Sequence, residues 1–402
     1  MRRVVVTGIG VISSAGRTRE EFLASLRTGK SGISAIENID MLDVRFRNGG
    51  EIKGYNALDY FVPKDADMMD RFAQLAVVAA REAVNQSGLE WTPNLKETAA
   101  IITGSCIGGQ ATEDQGFWDV YKMGKPRVHP MTIPKTMANA GASGISLEFG
   151  ITGPAFTIAT ACASSAHAIG LAFQMVRGGV CDFAITGGSE APFSYGLLKA
   201  WEAMRVVSPS ACRPFSKDRT GMILGEAGAM LTIETLEHAL ARGAQPLAEI
   251  VGFGMSSDAH HITQPSSEGP AKAIRLALKD AGLAPEAIHY VNAHGTGTSV
   301  NDATETKALH LAFGDHAKKL AISSTKSMHG HTLGAAGAIE TIATILGMTN
   351  GFVPPTINYN ERDPECDLDY TPNVVRNLEF EYAISNSFAF GGLNAVLALR
   401  RI

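Results

Sequence analysis

Cysteine is scarce in this chain and badly placed for cross-linking. The five residues, Cys106, Cys162, Cys181, Cys212 and Cys366, are odd in number and never form a C-x-x-C pair. That excludes a disulfide framework and a cysteine-based zinc site. A strong charge of either sign is missing too. Lys and Arg number 35 against 40 Asp and Glu, a formal charge of −5, which argues against a nucleic-acid backbone as main partner. No low-complexity segment or flexible linker interrupts the sequence. The longest stretch without Asp, Glu, Lys or Arg, 149–176, matches a bilayer in length but contains Gly150, Gly153, Pro154 and Gly170. It reads as strand, turn and helix rather than a membrane span. The basic start, MRRVVVTGIGVISSAG, runs into a strand rather than a signal peptide. A soluble, cytoplasmic protein is expected.

Hydrophobic residues make up 45% of the 402 positions and charged residues 19%, a globular mixture too long for one small core. Strand-like and helix-like runs alternate, the pattern of an α/β fold. Arg3–Thr7 predicts a strand, with a turn at Gly8–Gly10. Asp70 to Gly88 carries apolar residues at helical spacing, with Asp70 as N-cap and Gly88 as stop. AAIITG (99–104) is the next strand. The second half repeats the scheme. AKAIRLALKDAGL (271–283) places Ile274, Leu278 and Ala281 on one face and stops at Gly282, and AIHYVNA (287–293) follows as a strand. AFTIATACASSAHAIGLAF and LAISSTKSMHGHTLGAAGAIETIATIL share one shape: apolar strand, reactive turn, small-residue helix. DFAITGG similarly resembles YAISNSFAFGG. Two similar halves, 1–245 and 246–402, would bring one turn from each to a shared pseudo-twofold interface.

Cys162 stands between a strand and a helix of small residues, where free N–H groups and the helix dipole stabilise a thiolate. Its neighbours Ala161, Ala163, Ser164 and Ser165 leave the sulfur approachable. The other four cysteines read as buried and inert. His294 follows a strand in NAHGTGTSVNDATET, where Thr296 and Thr298 offer hydroxyls and Asp302 and Glu305 are neighbours if a helix begins there. STKSMHGHTLGAAGAIE holds Lys326, His329 and His331. An H-x-H turn without an acidic ligand at helical spacing is poor evidence for zinc. Neutral imidazoles that donate to an oxyanion, with Lys326 polarising the site, suit the same residues. SFAFGG (387–392) is either a turn capped by core phenylalanines or a backbone donor with an aromatic gate.

These segments, from VVVTGIGVISSAG through GPAFTIATACASSAHAIG, RPFSKDRTGMILGEAGAM and NAHGTGTSVNDATET to STKSMHGHTLGAAGAIE and SNSFAFGGLNAVL, resemble the β-ketoacyl-[acyl-carrier-protein] synthases of the thiolase superfamily. The resemblance covers essentially the whole chain and is nearest the type II elongating enzymes. VPPTINYNERDPECDLDYTPNV also resembles their nodulation-type relatives. It implies a thiolase-like fold of five layers, α-β-α-β-α, working as a homodimer with an acyl carrier protein and no cofactor. It further implies Cys162 as nucleophile, His294 and His331 as the paired histidines, and Lys326 beside them. The N–H groups of Cys162 and Phe390 would form the oxyanion hole. Asp302, Glu305 and Glu340 would hold Lys326 and the histidine loop, and Thr296 and Thr298 would contact the carrier's phosphopantetheine arm. Ile107 would shape the acyl pocket and Phe390 would gate it.

Several positions depart from the family pattern. Ala389 replaces a usual Gly, Leu393 a usual Thr and Cys106 a usual Gly. In the carrier-docking segment KDADMMDR, Lys64 and Arg71 remain, but Asp67 and Met68 stand where basic residues are common. Lys122, Lys125, Arg127, Arg205 and Arg213 are further candidates for a docking patch. A chain-length-factor role would go with loss of the cysteine, and a thiolase would carry a second cysteine in SNSFAFGG. Neither description fits this chain.

Overall fold

The computed structural model describes residues 2–39 and 43–402. Ten strands form its main sheet: β1 Val4–Ser13, β2 Ala100–Gly104, β3 Ala155–Ile158, β4 Phe183–Glu190, β5 Ala227–Thr235, β6 Ala248–Ser257, β7 Tyr290–Asn292, β8 Ala321–Ser323, β9 Tyr382–Ala389 and β10 Leu393–Arg401. Five helices carry the packing: α1 Arg71–Ser87, α2 Ser164–Gly178, α3 Glu268–Ala281, α4 Ser299–Phe313 and α5 Ala336–Asn350.

The duplication read from the sequence is literal in the topology. The strand order is β8-β7-β9-β10-β6-β1-β5-β4-β2-β3, so five strands of one half mirror five of the other about the β6–β1 junction. Directions match as well. β2 runs parallel to β3 and β4, β7 runs parallel to β8 and β9, and the remaining neighbours are antiparallel. The halves join where Val4–Val6 pairs with Ile250–Ala248.

Helix α1 covers the outer face of the first half and α3 that of the second, while α2 and α5 lie between the two half-sheets. Five layers, α-β-α-β-α, follow. The middle position explains α5, whose residues 336–348 are all buried although Glu340 is among them. A helix with no solvent face must be apolar or small all round, and a charge on it needs a buried partner.

Asp70 and Gly88 cap α1 as expected, the Asp70 carboxylate accepting from the Phe72 N–H. The Gly8–Gly10 turn is not found, because β1 runs through it with a bulge between Val6 and Gly8. A Cβ on Gly8 would lie 2.0 Å from the Ala83 carbonyl oxygen, and one on Gly10 2.0 Å from that of Ala79. These glycines let α1 approach the strand rather than bend it. β7 is also shorter than its apolar run, because Pro285–Ala287 form a 3-10 turn. Among the described residues no helix is long and apolar enough to cross a membrane.

Candidate active site

Strand β3 ends four residues before Cys162, and α2 begins two residues after it. The bend between them is made by Ala161, whose φ of 48° is left-handed and unfavourable for a residue with a Cβ. Ser164 holds the bend: its Oγ accepts from the Thr160 N–H (2.9 Å) and donates to the Ala161 carbonyl (2.6 Å). Cys162 is buried, and burial pushes its thiol up to about 11. Lys326 and the backbone N–H groups of Phe390 and Cys162 itself oppose that rise. Desolvation therefore outweighs the start of α2, and the resting group is a neutral thiol rather than the stabilised thiolate expected from the sequence.

His294 follows β7. Glu305, on the second turn of α4, accepts from the N–H groups of His294 (2.8 Å) and Gly295 (2.7 Å) and so fixes this turn. His331 follows β8 and a short helix at Lys326–His329, and exchanges backbone bonds with Ile223 and Gly225. The rings of His294 and His331 lie 5.4 Å apart and nearly perpendicular. One nitrogen of each lies with the Cys162 sulfur inside a sphere of mutual distances no longer than 4.8 Å.

The hydrogen bonds assign the tautomers. The Leu333 N–H donates to His331 Nδ1 (3.2 Å), and Lys326 Nζ lies 3.3 Å from His294 Nδ1. A backbone N–H and a lysine in an ion pair with Glu340 have only protons to offer, so both Nδ1 atoms accept. Each Nε2 then carries the ring proton. Burial first, and the charge of Lys326 second, hold both imidazoles well below their ordinary pKa, so both are neutral N–H donors. This arrangement also decides against zinc on the Cys–His–His set, because Nε2 ligation needs the lone pair that the protonated Nε2 lacks. His329 plays no part: its nitrogens bond Gly330 O and Thr325 Oγ1, away from the site.

Buried carboxylates form the layer behind. Glu340 and Glu305 are both raised to about 7, chiefly by burial. Asp302 accepts from Phe215 N–H (2.7 Å) and Gly297 N–H (3.2 Å), tying two loops together rather than touching Lys326. Asn292 Oδ1, Asn386 Oδ1, Ser387 Oγ and Glu340 Oε2 are among the buried side-chain oxygens without a hydrogen-bond partner. They belong to neighbouring elements β7, β9 and α5.

A cavity of about 260 Å³ opens onto the triad, lined by Cys162, His294, His331, Thr296, Thr298 and Phe390. Thr296 and Thr298 share a hydroxyl contact of 2.9 Å, and Thr298 also caps α4. Phe390 stacks on Trp201, 6.4 Å between centroids. Ile107 is not on this wall. It packs in a neighbouring apolar cluster with Met222, Leu224 and Leu333. Among the docking candidates, Arg71 is committed to a bidentate bond with Glu226, and Lys125 pairs with Asp119. Lys64, Lys122, Arg127 and Arg205 are exposed. Sequence reasoning missed Trp201, the buried Arg219, and the 261–265 segment at the cavity mouth. Arg219 sits in a quoted motif but gave no chemical signal, and the other two are brought in only by folding.

Fold and site together define a class: thiolase-like condensing enzymes, acyltransferases with a cysteine set between two histidines. The chain belongs to the beta-ketoacyl synthase family, its residues 1–239 matching the "Beta-ketoacyl synthase, N-terminal domain" and 247–360 the "Beta-ketoacyl synthase, C-terminal domain". It is 45% identical to Nodulation protein E of Rhizobium sp. (strain N33), with all of both chains covered. It is 43% identical to 3-oxoacyl-[acyl-carrier-protein] synthase 2 of Synechocystis sp., covering all of this chain and 98% of that one. Among solved structures, a chain of a type II PKS acyl-carrier protein in complex with its ketosynthase matches with a TM-score of 0.90 and 32% identity, each chain fully covered.

Proposed function

We propose that the chain is a 3-oxoacyl-[acyl-carrier-protein] synthase that condenses an acyl group with malonyl-carrier protein. The observation that carries this reading is the pair of neutral imidazoles, both with Nε2–H, beside one buried cysteine. In the first half-reaction Cys162 Sγ attacks the thioester carbonyl. The Sγ–C bond forms, the bond to the pantetheine sulfur breaks, and the thiol proton ends on the departing thiol. In the second, malonyl thioester loses CO2, and the enolate oxygen takes hydrogen bonds from His294 and His331. Its carbon attacks the acyl-Cys162 carbonyl, whose oxyanion is met by the N–H groups of Cys162 and Phe390. Collapse releases the 3-oxoacyl product and the Cys162 sulfur, which takes a proton from solvent.

Lys326 holds the His294 tautomer, Glu340 holds Lys326, and Glu305 and Asp302 hold the loop. Thr296 and Thr298 meet the pantetheine arm, Phe390 gates the entrance, and Ile107 acts on the acyl end from its adjoining cluster. We read the chain as two halves, 1–245 carrying the nucleophile and 246–402 the histidines, working in the cytoplasm in fatty-acid or nodulation-type acyl synthesis. A second copy would pair along edge strand β3, where Phe156 and nearby Phe117, Trp118, Tyr121, Ile133 and Leu147 are exposed.

Intact-protein mass spectrometry with a panel of acyl-carrier proteins tests the reading. A mass gain equal to the acyl group, absent in Cys162→Ala, is expected, and loading that survives in that variant would overturn the nucleophile assignment.

A further inference from the structure

Of the fully buried carboxylates that none of these steps uses, Glu226 and Glu234 are paired with Arg71 and Arg242, whereas Glu190 is held by neutral donors. Glu190, the last residue of β4, has no exposed surface. Its oxygens accept from four donors on two turns. Ser105 Oγ (2.9 Å), Cys106 N–H (2.6 Å) and Ile107 N–H (3.4 Å) belong to the turn after β2, and Gly334 N–H (2.9 Å) to the turn after His331. The first turn comes from one half of the chain and the second from the other. They touch directly, since a Cβ on Gly334 would lie 2.3 Å from Cys106 N and 2.5 Å from Glu190 Oε2. Gly334 directly follows Leu333, whose N–H fixes the His331 tautomer at 3.2 Å.

We propose that Glu190 is a positioning residue for the decarboxylation step. It clamps the Leu333–Gly334 turn against the Ser105–Ile107 turn, so that Leu333 N–H stays on His331 Nδ1 and the Nε2 proton stays aimed at the enolate. An ionised carboxylate suits this task because it presents acceptors only, and the four groups that donate to it oppose the burial that raises Glu190 to about 7. An amide in its place has one acceptor oxygen, so its NH2 must face at least one backbone N–H, that of Ile107 or those of Cys106 and Gly334, and the turns shift to relieve it. The bend at Ala161 has its own hydrogen bonds from Ser164, and removing the Glu190 charge, which raises the Cys162 thiol, gives acyl transfer no reason to slow.

The inference rests on the roles proposed for Cys162 and His331, and the experiment separates the two. Wild-type loading by acyl-carrier protein is measured first; a mass gain on Cys162 secures the reading beneath. Glu190→Gln and the milder Ser105→Ala are then compared with wild type for Cys162 loading rate and for CO2 release from malonyl-carrier protein. Glu190→Gln should lose roughly 10- to 100-fold in CO2 release with loading within about threefold, and Ser105→Ala should show the same split at a smaller size. A structural role alone would lower both reactions in proportion. Such proportional loss, or unchanged CO2 release in both variants, overturns the proposal. Should Glu190→Gln fail to fold, the split in Ser105→Ala decides by itself.

Discussion

Lys326 offers a sharp test of the tautomer argument. Its Nζ lies 3.3 Å from His294 Nδ1 and is ion-paired with Glu340, and both side chains are without exposure. Lys326→Met keeps the volume and removes the donor and the charge. His294 is then free to carry its proton on Nδ1, which takes Nε2–H away from the enolate. Loss of one such donor costs on the order of 10²–10³ in rate. The pH profile changes as well. His294 lies well below its usual pKa through burial first, then Lys326 and His331. Without Lys326 that pKa climbs toward its ordinary value, and a protonated ring regains its Nε2–H, so the variant's rate should recover on the acid side while the wild type's stays level. Stability is a separate readout, since the substitution strands Glu340 and breaking a buried pair costs about 3–5 kcal/mol. Adding Glu340→Gln should restore much of that stability without restoring the rate. The assays are CO2 release from malonyl-carrier protein between pH 5 and 8, and urea unfolding. A Lys326→Met rate within threefold of wild type with an unchanged profile would refute the tautomer assignment.

His331→Ala should lose malonyl decarboxylation by a comparable 10²–10³ yet still accept an acyl group on Cys162, as mass spectrometry would read. Burial raises the Glu305 carboxyl to about 7, above its ordinary 4.5. The folded chain therefore binds this proton more tightly than the unfolded one between those values. Relative to Glu305→Gln, wild-type stability should fall as pH rises from 4.5 to 7 and level off above, measured by urea titration at four pH values. Gly8→Ala places a methyl group 2.0 Å from the Ala83 carbonyl and should cost about 3 kcal/mol, whereas Gly178→Ala, whose Cβ meets nothing within 4 Å, should be neutral or better by denaturant midpoint.

Much of the fold was legible because its signals are local. Apolar runs of strand length, caps such as Asp70 and Gly88, and the repeated strand–turn–helix shape are all written in consecutive residues. The paired turns with Cys162, His294, Lys326 and His331 could be found for the same reason. Gly8 and Gly10 misled because glycine marks a turn and a close helix approach with the same letter. Only the identity of the neighbour, α1, separates the two readings. The helix start at Cys162 predicted a thiolate, but the depth of burial, which consecutive residues do not encode, sets a neutral thiol.

The sequence by itself determined the duplicated α/β architecture and the residues capable of chemistry, since periodicity and motif order survive without coordinates. Tertiary structure decided how they act. Which ring nitrogen bears the proton depends on Leu333 and Lys326 lying at Nδ1. Ile107 stands off the cavity wall because its turn packs into another cluster. Glu190 matters only because two turns, far apart in the chain, close around it. Proton positions, burial and clamps are properties of distances between remote residues, and only folding creates those distances.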